Sequence, residues 1–87
     1  MTQANIELYQ RVALTRDLPE HNLCKGDVAV VIEYLPGTSA SGSEPGYALE
    51  VFNAVGETLA VVMVPASAVK PLTEHEVFQV RPLSVTE

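Results

Sequence analysis

The sequence is poor in cysteine, in basic residues and in long apolar runs. Its single cysteine, Cys24, cannot form a disulfide within the chain, so the fold has to stand without crosslinks, which suits a reducing compartment. The longest apolar run, residues 59–64, is far too short to span a bilayer. The first five residues lack the basic and apolar regions of a signal peptide. We therefore expect a soluble cytoplasmic protein with no membrane segment.

Basic residues are outnumbered, since five Lys and Arg stand against eleven Asp and Glu and leave a net charge of -6. They are scattered along the sequence, at Arg11, Arg16, Lys25, Lys70 and Arg81. A surface that binds nucleic acid or an anionic membrane needs concentrated positive charge, so both partners are disfavoured. A basic protein partner would be attracted instead. The alternative is that the negative charge has no role in binding and only keeps a small protein soluble.

Apolar residues make up 47% of the 87-residue chain, enough for one compact core in one domain. Apolar–polar alternation, interrupted by proline and glycine, predicts five short β-strands. The expected strands cover residues 8–15, 27–35, 47–53, 58–64 and 69–72. A loop rich in Gly, Ser and Pro, residues 36–46, separates the second strand from the third, and Pro65-Ala66-Ser67 breaks the chain before the fifth.

This order of elements is typical of one fold class, an all-β, five-stranded SH3-like barrel. We expect a single domain over residues 1–87, with a core of about residues 8–72 and a C-terminal extension of residues 73–87. Thr73 and Glu76 have the spacing of a capping box and predict a short helical turn at the start of the extension. The rest of the extension is expected to be extended, and Pro82 would limit it to a sheet edge.

Candidate catalytic and metal-binding residues are few. His21 and Cys24 have an H-x-x-C spacing, but a zinc site needs three or four ligands, and the sequence has no second cysteine. Asp17, Glu20 and Asp27 could bring carboxylates together for acid–base chemistry. Asp17 is better interpreted as a cap of the following turn, and Asp27 as the start of a strand. We expect no enzyme activity, no metal site and no cofactor.

Two further local features have structural interpretations. Gly26, in the turn Lys25-Gly26-Asp27, is expected to have a positive φ angle, and Leu18 and Leu23 are expected to turn inward. The aromatic residues could include a stacking platform for a peptide or a nucleic acid, although Tyr34 and Tyr47 are better interpreted as core. These aromatic residues are Tyr9, Tyr34, Tyr47, Phe52 and Phe78.

The third and fourth strands are apolar on both faces, and this is the most informative feature of the sequence. If Val51, Ala60 and Val62 face the core, a second apolar row faces outward. That row consists of Phe52, Leu59, Val61 and Met63. A monomer rarely exposes such a patch, since burial of each large apolar side chain is worth roughly 1.5–3 kcal/mol. Either the extension or another chain covers it, and we expect another chain: these four residues are the predicted partner-binding surface.

Two parts of the sequence resemble a family of small bacterial proteins, domain-of-unknown-function family 4926. The first is Leu8-Tyr9-x-x-Val12-x-Leu14-x-x-Asp17-Leu18-Pro19-Glu20-His21-x-Leu23 with Lys25-Gly26-Asp27-Val28, and the second runs from Tyr47-x-Leu49-Glu50-Val51-Phe52 to Pro65-Ala66-Ser67. The resemblance covers about residues 8–83. It implies an SH3-like fold without an assigned activity or established catalytic residues. The loop at residues 38–43 is longer than in the plainest family pattern.

These observations predict a small acidic protein-interaction module that binds a protein partner or a second copy through an apolar strand face. Given the resemblance, the concrete expectation is an antitoxin-like or immunity-like role. The alternative is a nucleic-acid-associated SH3-like barrel, which a salt-sensitive affinity for RNA would support.

Overall fold

The structure is a computed structural model that describes residues 6–37 and 44–83. Its five strands are β1 (Arg11–Leu14), β2 (Val28–Leu35), β3 (Gly46–Phe52), β4 (Thr58–Pro65) and β5 (Val69–Pro71). All pairings are antiparallel and the order is β4-β3-β2-β1-β5. Single 3-10 turns occupy Pro19–His21 and Ala66–Ala68. The all-β, SH3-like prediction is confirmed, with the sheet open between its edge strands β4 and β5 in the described part of the chain.

One face of the sheet forms the core, as alternation predicts. Its most deeply buried side chains are Val12, Leu14, Val31 and Leu49. In β4 the buried residues are Val62 and Val64, and Val51 lies beside them in β3. Ala60, which is expected in the same row, is exposed; it lies opposite Val51, near the turn that joins β3 to β4.

A β-bulge in β2 changes which residues face the core. The register between β2 and β3 shifts between Val31 and Glu33, which moves later side chains to the opposite face. Tyr34 therefore lies across from Tyr47, with 5.7 Å between ring centroids. Tyr47 packs against the core, but Tyr34 is half-exposed. The interpretation of Tyr34 as core is wrong: its ring lies on the same face as Tyr47 but outside the core cluster.

The first strand is shorter than expected and begins at Arg11. Residues before it form a turn, in which Gln10 N–H donates to the Glu7 carbonyl and Glu7 N–H donates to the Gln10 side-chain oxygen. Leu8 and Tyr9 are exposed on this turn, and Tyr9 has a φ of 68°. Both bonds join Gln10 to Glu7 and close the turn, while the Tyr9 N–H and the Gln10 carbonyl still bond to Val31 of β2.

The loop between β1 and β2 is fixed by two apolar side chains and by one tight turn. Leu18 and Leu23 are buried and bridge to each other, as predicted. Gly26 has a φ of 91°, which confirms the positive angle expected of it. The Asp17 carboxylate accepts the Lys25 N–H at 2.8 Å, so Asp17 caps the turn. The polar residues of this loop are therefore engaged in holding its shape.

Candidate interaction surface

The outer face of the β3–β4 hairpin contains the predicted partner-binding residues. Leu59, Val61 and Met63 are 44%, 54% and 68% exposed, whereas Phe52 is half-buried. We call the first three the outer β4 row. Val62, which lies between the last two, is buried, so the strand divides into the two rows that alternation predicts.

The outer β4 row lies beside a small and an acidic residue of β3. Met63 is opposite Ala48, whose short side chain leaves the thioether open to solvent, and Val61 is opposite Glu50. The Glu50 carboxylate accepts the Thr58 hydroxyl at 2.6 Å, which fixes its position next to the apolar row. The surface thus combines exposed apolar side chains with a positioned negative charge.

β4 is also an edge strand, and it is little protected: a β-bulge at Leu59 interrupts the register near its start, but Ala60 to Pro65 pair with β3 without interruption. Within the described residues its only strand partner is β3, and its first four residues, 58–61, are all exposed. The strand contains no charged residue, and its only proline is the last residue, Pro65. The opposite edge, β5, has only three residues and contains Lys70 and Pro71, both features that block further pairing. The two edges therefore differ in their capacity to accept another strand.

The extension packs on the same outer face as the outer β4 row, but over β5, β1 and β2: Arg11, Val30, Glu50 and Val61 are cross-strand neighbours in one row of that face. Lys70 of β5 pairs with Glu76. The Thr73 N–H donates to the Glu76 carboxylate at 2.8 Å, so the capping-box contact forms a single turn at the start of the extension. Farther along, the Phe78 ring lies 5.6 Å from the Arg11 guanidinium. Residues 77–83 form no strand, so the expectation of an edge position is wrong: they are held by side chains.

A second ion pair fixes the far end of the extension. Arg81 donates to both carboxylate oxygens of Asp27, with Nε and Nη2 distances of 2.9 and 2.6 Å, and the Cys24 N–H donates to the same carboxylate at 2.8 Å. Burial opposes ionisation of Asp27, but the Arg81 hydrogen bonds, the Cys24 N–H and the Arg81 charge outweigh it and lower the pKa of Asp27. Asp27 therefore joins the extension to the turn at residues 24–27, a role that the sequence does not indicate.

Acid is expected to release the extension. Because the folded pKa of Asp27 lies below its ordinary value of 3.8, the ionised carboxylate stabilises the docked extension above that pH, and this is lost as the pH falls through the lower folded value. Amide hydrogen exchange of residues 77–83 across this range measures the release. The variant Arg81→Gln should show fast exchange already at neutral pH, at a cost of about 1 kcal/mol because both side chains reach solvent.

Glu76 contributes to the same transition, since the Lys70 hydrogen bond lowers its pKa. A Lys70→Met control should therefore shift exchange near residue 76 more than near residue 81. Unchanged exchange of the extension in Arg81→Gln would contradict the assignment of the Asp27 pair as its anchor.

The extension reaches only part of the predicted partner-binding surface. A groove of about 700 Å³ separates residues 78–83 from the sheet, and Phe52 and Leu59 line its far wall. A second groove of about 750 Å³ lies between residues 72–79 and β1. Val61 and Met63 line neither groove. The extension therefore leaves the middle of the outer β4 row uncovered.

Charge is distributed unevenly over the fold. No Lys, Arg or His occurs between Lys25 and Lys70, a stretch that includes β2, β3 and β4. The carboxylates in this stretch are Asp27, Glu33, Glu44, Glu50 and Glu57. The basic residues belong to β1, β5, the first loop and the extension, where Arg16 also donates to the Ser67 hydroxyl at 3.3 Å. The basic residues are scattered along the sequence, but in the fold they lie away from β3 and β4. The outer β4 row therefore lies on the acidic side of the molecule.

The residues considered for catalysis do not come together as a reaction centre. Cys24 is exposed, and its N–H serves the Asp27 carboxylate. No group of three potential metal ligands occurs among residues 6–37 and 44–83. Asp17 accepts a backbone N–H in the same loop, so the structure shows turn-stabilising roles for two of the three candidate carboxylates. The absence of enzyme activity stays a prediction.

No helix among the described residues has the length and apolarity needed to cross a membrane. No curated protein and no solved structure matches the chain. A family model described as a domain of unknown function, DUF4926, matches residues 8–71, from the turn before β1 to the last residue of β5. The outer β4 row lies inside the matched region, and the extension lies outside it. Because the match covers most of the chain and all five strands, the protein belongs to the DUF4926 family.

Proposed function

We propose that this chain is a cytoplasmic, non-enzymatic interaction module that docks on a partner protein through the outer β4 row. One observation supports this most directly: Val61 and Met63 lie in the middle of a strand, are more than half exposed and are not covered by the extension. Large apolar side chains grouped on one face are typical of protein–protein contact sites.

An antitoxin-like or immunity-like role in bacteria is the concrete form of this proposal. Such a role requires a small chain that covers a surface of another protein, and an acidic chain suits a basic target. The carboxylates of Glu50 and Glu57 flank the start of β4, so attraction would act close to the contact itself.

The alternative, a nucleic-acid-associated barrel, gains no support from the positions of the basic residues. Lys70 and Arg81 are paired with carboxylates, and Arg11 lies against an aromatic ring. A phosphate backbone would have to compete with these contacts.

The double variant Val61→Lys/Met63→Lys is expected to stay folded and to lose its partner. Both side chains already face solvent, so the added charges need not enter the core. Loss of contacts at the centre of an interface typically costs 2 kcal/mol or more, which is a weakening of roughly thirtyfold or more. Circular dichroism and thermal melting measure folding. Affinity capture from the native cell, compared between wild type and variant, measures binding.

The matched control is Val55→Lys/Val77→Lys, which adds the same charge at exposed apolar residues outside the outer β4 row. It should retain every protein that the wild type captures. Equal loss of captured proteins in both variants would show that added positive charge, not the outer β4 row, is responsible. An unfolded Val61→Lys/Met63→Lys variant would place these residues in the core and contradict the proposal.

A further inference from the structure

We infer that the free edge of β4 accepts an extended, basic segment of the partner as an additional strand. This inference rests on the proposed function, because it specifies how the partner reaches the outer β4 row and which chemistry it carries. Two independent features support it: the backbone of β4 and the charge around it.

The backbone of β4 is available for pairing along much of the strand. Residues 60–65 pair with β3 on one side in continuous register, and no other backbone hydrogen bond in the described part of the chain involves residues 58–64. Exposure of Ala60, whose side chain belongs to the inner row, shows that the start of the strand is open on both faces. An edge of this length without charge is suited to strand addition, in which main-chain hydrogen bonds supply affinity.

Alternate side chains of an added strand would face the outer β4 row. Cross-strand neighbours on one face approach to about 4.5–5.5 Å between Cβ atoms, so apolar side chains of the segment would contact Val61 and Met63 directly. Glu50 lies one strand farther in, and Glu57 immediately precedes β4. Glu50 shares the face of Val61, so a basic side chain of the segment has to lie on that same face to reach these carboxylates, two residues beyond the apolar ones and toward the start of β4.

Charge decides against a second copy as the occupant. Each chain carries a net charge of -6, and the region between Lys25 and Lys70 has carboxylates but no basic residue. Pairing of two β4 edges would bring the acidic sides of two copies together with no basic residue on either side, and like charges repel. A segment that carries apolar residues and Lys or Arg on one face avoids this repulsion.

Synthetic peptides of defined sequence test this inference on the full-length protein. The probe, called the valine–lysine peptide, repeats Val-Thr-Val-Thr-Lys-Thr and is capped at both ends, so that valine and lysine share one face of the strand. Its affinity is measured by calorimetry. A peptide with glutamate in place of lysine should bind at least about tenfold more weakly. A valine–lysine peptide with N-methylated amides along both edges should also lose about tenfold or more, since it keeps its charge but neither edge can pair with β4. Bound peptide should slow amide exchange in β4.

Carboxylate variants provide the matched comparison. Glu50→Gln/Glu57→Gln should weaken binding of the valine–lysine peptide by about threefold or more, whereas Glu20→Gln/Glu74→Gln, with the same change in net charge, should not. Equal binding of the N-methylated peptide would overturn strand addition. A concentration-dependent dimer that Val61→Lys/Met63→Lys abolishes would instead identify a second copy as the occupant.

The outcomes separate this inference from the proposed function. If Val61→Lys/Met63→Lys loses captured proteins but no valine–lysine peptide binds, the docking surface stands and strand addition is wrong. If capture is also unaffected, both are wrong.

Discussion

Replacement of Gly46 by alanine is expected to lower the free energy of unfolding by about 3 kcal/mol, near the upper end for overpacking. A Cβ on Gly46 would collide with the Val64 carbonyl oxygen and lie 3.2 Å from its carbon, and it would lie 3.4 Å from the Pro65 Cα. All three atoms belong to the backbone of β4, so no side chain can rotate away. The strain would separate β3 from β4 at the end where their ladder begins.

Chemical denaturation and thermal melting measure this effect, and a loss of about 3 kcal/mol should lower the melting temperature by roughly 12–24 °C. Gly56→Ala is the matched control. A Cβ there has open space but a φ of 90°, so the expected cost is only about 1 kcal/mol. If the two variants lose equal stability, the close approach of β3 to β4 is not the reason that residue 46 has to be glycine.

Truncation of Leu49 to alanine is expected to lower the free energy of unfolding by about 2–5 kcal/mol. Leu49 is 0% exposed, and it lies opposite Val31 in β2 and Val62 in β4. Removal of its side chain would therefore leave a cavity between three strands in the middle of the core. Urea denaturation checks the loss.

Leu8→Ala is the control for Leu49→Ala, since it deletes the same atoms from a half-exposed residue of the first turn. Its expected cost is about 0.5 kcal/mol or less. A Leu49→Ala variant as stable as Leu8→Ala would contradict the position of the core.

Most of the fold could be predicted from the sequence because most strands and turns have a recognisable local sequence pattern. Gly56 marks the β3–β4 turn, where Asn53 accepts the Val55 and Glu57 N–H groups at 3.1 and 2.9 Å. The alternation in β4 separates buried Val62 from exposed Val61, as the structure shows. In these segments the short-range pattern and the tertiary contacts favour the same conformation.

The features that the sequence did not reveal depend on contacts between distant residues. The pair between Asp27 and Arg81 joins positions 54 residues apart, and neither residue has a local pattern that identifies the other. The bulge after Val31 depends on how β3 packs against β2. Such features follow from the assembled sheet, so no single segment specifies them.

The candidate surface was predicted in part. Alternation identified Leu59, Val61 and Met63 as an outward apolar row, but it could not show that β4 is an edge strand, because strand order is a property of the whole sheet. The absence of basic residues between Lys25 and Lys70 was visible in the sequence. The fold adds that this stretch, which forms β2, β3 and β4, occupies one side of the molecule.

Amide hydrogen exchange of the protein bound to a partner identified by capture is the sharpest test of whether the outer β4 row is the docking surface. We expect slowed exchange concentrated in residues 58–65, with little change elsewhere in the sheet. Protection confined to the loop at residues 17–23, or to the extension at residues 77–83, with β4 unchanged, would contradict it.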